Sequence, residues 1–311
     1  MSQNLKQPNS ALIIGYGSIG ARHDDVLTKL GLRTAVLSRR AIDHPNRFTS
    51  LDNALISQNP GYVVIANRTS EHHETLLALQ HLGYTGKILV EKPLFSTNES
   101  VPTALMDTVW VGYNLRFHPT LLRLRSLLFG QEICTFSAFV GQYLPTWRPG
   151  TDYRESYSAN HAQGGGALLD LSHDIDYTTW LLGGWSRVTA LGGKTSTLEI
   201  TSDDAFSILL ETPLCGVVQV HVNYLNRKPK REIIVNTADH CYVADLIKNT
   251  IEIDGEVEDY PIERNETYTS MHLNVIGPEP KLCCTAKEGL DLMRLLDAIR
   301  LSSSKHVWIE S

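Results

Sequence analysis

Cysteine is scarce: the 311 residues include five, at Cys134, Cys215, Cys241, Cys283 and Cys284. None stands at a zinc-ligand spacing, and an odd count cannot close a disulfide framework, so neither a metal site nor a set of staples is expected. Aromatic residues make up 8% of the chain and charged residues 20%, with a formal net charge of −6. Lysine and arginine are scattered, so the basic footprint of a nucleic-acid binder is missing. No apolar run approaches the length of a membrane span, and residues 1–10 have no apolar signal-peptide core. Internal repeats and low-complexity segments are also lacking. These absences point to a cytoplasmic globular protein without nucleic-acid or membrane partners, long enough for two domains with a core each.

What is present is organised around residues 11–20, ALIIGYGSIG. Four apolar residues read as a buried strand and run into Gly15-Tyr16-Gly17-Ser18-Ile19-Gly20, followed by a helix-compatible stretch to about Leu30. In a dinucleotide site Gly15 permits the tight turn and Gly17 lets backbone approach a pyrophosphate. Gly20 lets the helix pack on the strand, and the helix aims its free N–H groups at the phosphates. Further strands over 34–37, 62–66, 87–90 and 109–113 alternate with helical stretches over 51–57 and 70–82, the latter with Ser70 as its N-cap. This is the pattern of βαβ units in an open parallel sheet, whose ligands lie beyond the carboxyl ends of the strands. The second strand ends in Ser38-Arg39-Arg40. An acid that would accept from an NAD ribose hydroxyl is missing there, and two cations suit a 2′-phosphate, so NADP(H) is favoured over NAD(H).

Beyond about residue 120 the pattern changes to a helix over 121–129, a strand over 133–140 and strand-like runs from 205 to about 260. These suggest an α+β domain with an antiparallel sheet, closed by an amphipathic helix over 287–302. Two places could carry chemistry. Glu91-Lys92-Pro93 ends a parallel strand, where the Lys92 ammonium would meet a substrate oxygen as negative charge develops. Residues 164–182 read as one helix behind a triple glycine, placing Asp170, His173 and Asp176 three apart on a single face. A histidine flanked by carboxylates can be held in one tautomer and pass a proton near neutral pH. Tyr143, Trp147, Arg148, Tyr153 and Arg154 lie in the loop before the triple glycine. Asn114 and Arg116 follow the fifth strand. Flat rings stack on sugar faces and arginine forks suit carboxylate or phosphate, which favours an anionic sugar.

GYGSIG, EKP, the segment VGYNLRFHP over 111–119, GGGALLDLSHDIDYTTWLLG over 164–183 and the closing EGLDLMRLLDAIRLSSSKHVWIE occur in this order. Together they resemble the glucose–fructose oxidoreductase/inositol dehydrogenase (Gfo/Idh/MocA) family across nearly the whole chain. The resemblance implies a dinucleotide-binding Rossmann domain over 1–119. It also implies an α+β domain over 120–311 with an open, mostly antiparallel sheet, which binds substrate and builds a homodimer or homotetramer. It further implies oxidation or reduction of a sugar, polyol or nucleotide-sugar carbinol. Matched position by position, Gly15, Gly17 and Gly20 form the phosphate loop, with Tyr16, Ser18 and Ile19 between them. Ser38 stands where NAD-preferring members carry their acid, beside Arg39 and Arg40. Asn67 and Arg68 cover the cofactor's ribose, Glu91 and Lys92 are the EKP pair, and His173 transfers the proton. Family members commonly place the helix aspartate four residues before that histidine; here Leu169 occupies that place and Asp170 stands three before. Either Asp170 or Asp176 is then the partner that orients His173. Two other readings stay open: a non-catalytic NADP-binding regulator, and a glycosidase or epimerase that recycles a tightly held cofactor.

Overall fold

The structure is a computed structural model that describes residues 8–311. Residues 1–7, part of the stretch read above for a signal peptide, lie outside the described residues. In chain order the first elements are β1 (Ser10–Ile14), α1 (Ser18–Lys29), β2 (Arg33–Leu37), β3 (Arg47–Phe48), α2 (Leu51–Gln58), β4 (Tyr62–Ile65), α3 (His72–His81), β5 (Lys87–Val90) and β6 (Val109–Val111). Then come α4 (Pro119–Leu128), β7 (Ile133–Gly141), α5 (Ala167–Asp170), α6 (Ser172–Leu182), β8 (Arg187–Gly193), β9 (Ala205–Glu211) and β10 (Val218–Asn223). The chain continues through β11 (Lys230–Thr237), β12 (Cys241–Asp245), β13 (Thr250–Ile253), β14 (Glu256–Asp259) and α7 (Glu266–Ile276), and ends with β15 (Cys284–Thr285), α8 (Ala286–Lys305) and β16 (Ile309–Glu310).

Two compact units result. The first takes the chain up to Phe117 together with Glu263–Asp291. Its seven-stranded sheet has the order β15-β6-β5-β4-β1-β2-β3, parallel except for the edge strand β15. All five residues of β1 and all four of β4 are buried. Such runs suit strands covered on both faces, which is why they are apolar without alternation. Strand order reverses beside β1: β2 and β3 extend to one side and β4, β5 and β6 to the other. The carboxyl ends of β1 and β4 therefore border a topological switch point.

The second unit holds His118–Ile262 and Leu292–Ser311. Its nine strands run β14-β13-β12-β11-β7-β10-β9-β8-β16, antiparallel except for the β7–β10 pair. Strand β9 shows the logic of a sheet with one covered face: Phe206, Ile208 and Leu210 are buried, whereas Ser207 and Leu209 are exposed. Leu292, Leu295, Leu296 and Ile299 of α8 are buried. The architecture is thus a Rossmann-like parallel sheet plus a mixed, mostly antiparallel open sheet.

The sequence reading departs from this fold at three places. It carried the second domain unbroken from 120 to 311, whereas residues 263–291 belong to the first unit. The reason is α7, not expected from its β-branched and polar residues, which buries Met271, His272, Val275 and Ile276 in the first unit. It also drew one helix over 164–182, where α5 ends and α6 begins around Leu171 (φ −99°, ψ 17°). Ser70 caps nothing: residues 69–71 form a 3₁₀ turn ahead of α3. Among the described residues no helix is long and apolar enough to cross a membrane.

Candidate active site

The glycine turn divides its work between three positions. Gly15 has φ +95°, and its N–H donates to the Leu37 carbonyl at 3.0 Å. A Cβ there would lie 2.5 Å from the Asn67 nitrogen, so this glycine lets β1, β2 and β4 end side by side. A Cβ on Gly20 would collide with the Gly15 carbonyl oxygen, which seats α1 on the turn. Gly17, the N-cap of α1, differs: a Cβ there would meet nothing within 4 Å. Among the described residues no packing demand explains a glycine at that position. The space over it suits a group outside the chain, and the first turn of α1 carries no acid to repel an anion. Ser18 is exposed, whereas Ile19 packs against the core of this unit. The Tyr16 hydroxyl donates to Asp24 at 2.8 Å, and burial, then the Asp24 carboxylate, push this phenol up to about 12.

At the end of β2, Ser38 is buried and its hydroxyl accepts from the Arg40 N–H at 3.2 Å. Arg39 and Arg40 are exposed, and residues 38–40 include no carboxylate. After β4, Asn67 donates from Nδ2 to Thr75 at 2.9 Å, while its Oδ1 is buried without a hydrogen-bond partner among the described residues. Such an atom wants a donor, and a ribose hydroxyl is one. Arg68 beside it is exposed. The open space over Gly17, the unmet Asn67 oxygen and the paired arginines fit a nicotinamide dinucleotide.

Past β5, the Lys92–Pro93 peptide is cis. Glu91 is 8% exposed; its Oε1 lies 2.8 Å from His23 Nε2, and its Oε2 accepts from the Lys92 N–H at 3.3 Å. Gly112 makes room for this carboxylate, since a Cβ there would come within 2.9 Å of Oε1. From Ile88 to Phe95 every residue is buried except Lys92. Two other residues read as substrate contacts turn inward instead. Asn114 is buried and donates to Thr267 at 2.7 Å, and Arg116, 3% exposed, pairs with Glu288 at 2.8 Å. Their polar ends serve the packing of α7 and the start of α8, which the sequence pattern did not reveal.

In the second unit the triple glycine has packing reasons. A Cβ on Gly165 would strike the Tyr157 carbonyl, and one on Gly166 (φ +132°) would lie 2.5 Å from Asp203. Asp203 accepts from the Leu168 N–H at 2.8 Å and so caps α5; burial raises its carboxyl above the ordinary range. The break at Leu171 removes the expected helical phase between Asp170 and His173, while Asp176 shares α6 with His173. Asp170 accepts a 2.5 Å hydrogen bond from the Tyr224 hydroxyl. Asp174, fully buried, pairs with Arg231 at 3.1 Å and accepts from Tyr177. From Gly165 to Thr178 every residue is buried except His173.

The expected loop aromatics gather in this unit. Trp147 meets Tyr224 edge-on at 5.5 Å, Arg148 lies over Tyr157 at 5.2 Å, and Arg227 covers Tyr143 at 3.5 Å. Trp147, Arg148 and Tyr153 line one small cleft with Leu144, Ser156 and Ser158. Arg154 is instead held by Asp152 and Glu199. Tyr157 in a 3₁₀ turn, Tyr224 directly after β10 and Arg227 in the following loop join these contacts, and none belongs to a motif legible in the sequence. Among the described residues no group of three or more His, Cys, Asp or Glu side chains could hold a metal ion.

Residues 121–256 match the model of the GFO/IDH/MocA C-terminal domain. That stretch makes up most of the second unit, which is thus similar to a Gfo/Idh/MocA C-terminal domain. No curated protein matches the sequence. Solved structures resemble the chain over both units. GenD2 from gentamicin A biosynthesis, in complex with NAD, is 20% identical with a TM-score of 0.79, covering 100% of this chain and 98% of its own. The UDP-N-acetylglucosamine 3-dehydrogenase GnnA from Acidithiobacillus ferrooxidans is 18% identical with a TM-score of 0.78, covering 95% and 98%. Levoglucosan dehydrogenase, in complex with NADH and levoglucosan, is 17% identical with a TM-score of 0.81, covering 97% and 98%. At these identities the likeness is one of fold. Both His173 and the Tyr224–Asp170 pair lie inside the stretch that matches the Gfo/Idh/MocA domain.

Proposed function

We propose that this chain is an oxidoreductase that moves a hydride between a nicotinamide dinucleotide and a carbinol or carbonyl of a sugar, sugar acid or nucleotide-sugar. One observation carries the reading: Lys92 and His173 are each the single residue left unburied in an otherwise buried run. A partly exposed ammonium and a partly exposed imidazole in such segments support roles in proton transfer and charge stabilisation. The neighbours solved with NAD or NADH, and those named as dehydrogenases of UDP-N-acetylglucosamine and levoglucosan, support the same class.

The dinucleotide, when bound, supplies the hydride donor or acceptor. The turn over Gly15–Gly20 holds its pyrophosphate, Asn67 and Arg68 its ribose, and Ser38 with Arg39 and Arg40 its adenosine end. Lys92 donates a hydrogen bond to the substrate oxygen and stabilises negative charge as it develops there. His173 takes the hydroxyl proton in oxidation and returns it in reduction. Asp170, fixed by Tyr224, or Asp176, one turn along α6, sets the ring's tautomer. Tyr143, Trp147, Arg148 and Tyr153 form the substrate side, and Arg148 with Arg227 favours an anionic sugar. The two exposed arginines after β2 favour NADP(H). Leu191, Leu209 and Val217 on the open sheet, 68%, 49% and 62% exposed, favour a homodimer or homotetramer through that face.

A fluorescence titration with NADPH and NADH, followed by turnover with a panel of free sugars, sugar acids and nucleotide-sugars, tests the reading. Saturable binding with NADPH the tighter, and turnover of an anionic panel member, are expected. A tight complex that turns over nothing in the panel would make the chain a dinucleotide-binding regulator instead.

A further inference from the structure

Behind Glu91 the first unit contains a line of buried polar side chains that the roles assigned above do not use. Glu91 Oε1 lies 2.8 Å from His23 Nε2, His23 Nδ1 lies 2.9 Å from His272 Nε2, and His272 Nδ1 lies 2.9 Å from the Tyr62 hydroxyl. The four come from the end of β5, from α1, from α7 and from β4. His23, His272 and Tyr62 are each 0% exposed. We propose that Glu91, His23, His272 and Tyr62 act as one positioning unit for Lys92, an ordered hydrogen-bond chain that holds the Glu91 carboxylate against the Lys92 backbone N–H. The proposal rests on the catalytic role assigned to Lys92 above.

The chain has a direction, and it can be derived. A carboxylate only accepts, so His23 must donate from Nε2. If His23 is neutral its Nδ1 accepts, His272 donates from Nε2, and His272 Nδ1 accepts from the Tyr62 O–H. Every donor then meets an acceptor. Were His23 an imidazolium, each bond beyond it would reverse, and the Tyr62 O–H would lose its acceptor among the described residues. Burial pushes His272 well below the ordinary histidine value, and His23 lowers it further, which favours the same arrangement. Burial also pushes the Tyr62 phenol upward, helped by Cys283, Tyr84 and Glu91, so it remains a donor. Tyr268 of α7 meets the His23 ring edge-on at 5.5 Å, and Arg22 lies over Tyr268 at 5.2 Å. The line ends at a fully buried tyrosine, so it leads no proton to solvent. What it can do is fix a carboxylate, and through that carboxylate the peptide that carries Lys92.

The test compares His23→Leu and His272→Leu with His23→Gln and His272→Gln, each measured for melting temperature, NADPH binding and turnover. A glutamine amide can still donate where imidazole Nε2 did; leucine cannot. The leucine variants are expected to lose about 10–100-fold in kcat, the scale of a misplaced catalytic group, with the NADPH Kd unchanged within about twofold. The glutamine variants are expected to recover most of that loss. Unchanged kcat in folded leucine variants, or NADPH binding that weakens in step with kcat, would overturn the proposal. A readout without turnover separates it from the functional reading. In protein labelled with ¹⁵N in histidine and lysine, both rings are expected as Nε2–H tautomers, and His272→Leu is expected to shift the Lys92 amide resonance more than His272→Gln does. An Nδ1–H tautomer at His272 would overturn the ordering even if the leucine variants failed to fold. If the rings behave as expected and the wild type turns over nothing, the assignment of function fails and the ordered chain stands.

Discussion

Replacing Gly17 and Gly20 by alanine, one at a time, separates folding from binding in the same turn. At Gly17 the backbone (φ −85°, ψ −167°) is one that alanine adopts freely, and the new methyl would meet nothing within 4 Å. The unfolded chain would lose entropy worth about 0.4–1 kcal/mol in the variant's favour, and the poorer helix cap would cost a similar amount. Gly17→Ala should therefore melt within a few degrees of wild type. Its methyl would stand in the space left for the pyrophosphate. Losing one backbone hydrogen bond to a charged phosphate costs about 1.5–3 kcal/mol, or roughly 10–100-fold in NADPH Kd. At Gly20 the added methyl would strike the Gly15 carbonyl, and overpacking against backbone costs about 1–3 kcal/mol before any ligand is present. That should lower the melting temperature by roughly 2–5 °C for a chain of this length. The assay is thermal melting with and without NADPH. At one hundred times the wild-type Kd the ligand stabilises wild type by about 2.7 kcal/mol, whereas a variant bound 100-fold more weakly gains only about 0.4 kcal/mol. Full ligand stabilisation of Gly17→Ala would refute the placement of the dinucleotide over that turn.

Other perturbations follow from the same geometry. Lys92→Ala and His173→Ala should each lose about two to three powers of ten in kcat while retaining NADPH binding by fluorescence. Replacing Arg39 and Arg40 together by alanine should weaken NADPH binding about tenfold or more and leave NADH unchanged, and Ser38→Asp should favour NADH. Arg116→Met should destabilise the protein by about 1–3 kcal/mol in urea unfolding, the partly exposed Glu288 softening the cost of a broken buried pair. Burial alone would raise the Glu288 carboxyl, but the Arg116 charge together with hydrogen bonds from Arg116 and Thr285 outweighs it, and the net shift is downward from 4.5. A depressed carboxyl adds stability above its unfolded value and loses it as pH falls through the folded one. The gap between wild type and Arg116→Met should accordingly be full at neutral pH and shrink as pH falls below the carboxyl's ordinary 4.5.

The sequence spoke clearly where local chemistry and fold agreed. Five of the six parallel strands, β1, β2, β4, β5 and β6, announce themselves as short apolar runs, whereas the two-residue β3, Arg47–Phe48, does not. The three glycines carry distinct steric duties that their spacing already implied. Where the fold overrode local pattern, the sequence was mute. In α7, Thr267, Thr269 and Val275 are poor helix formers, and only packing in the first unit makes the segment helical. Without that helix neither the return of residues 263–291 nor His272 could be anticipated. The helix drawn through 164–182 breaks at Leu171, a residue with no breaker's chemistry, so the expected stripe from Asp170 to His173 had no basis in helical phase. Arg116 looked like a ligand fork because its partner Glu288 is 172 positions away.

The central claim is tested most directly by deuterium transfer. NADPH carrying deuterium at the transferable C4 position is incubated with oxidised members of the sugar, sugar-acid and nucleotide-sugar panel, and each product is weighed by mass spectrometry. The account expects one anionic product to gain a single deuterium with wild-type protein, and to do so at least a hundredfold more slowly with Lys92→Ala or His173→Ala, a loss typical of such groups. Transfer at near wild-type rate in either variant, or no transfer to any member from protein saturated with NADPH, would contradict it.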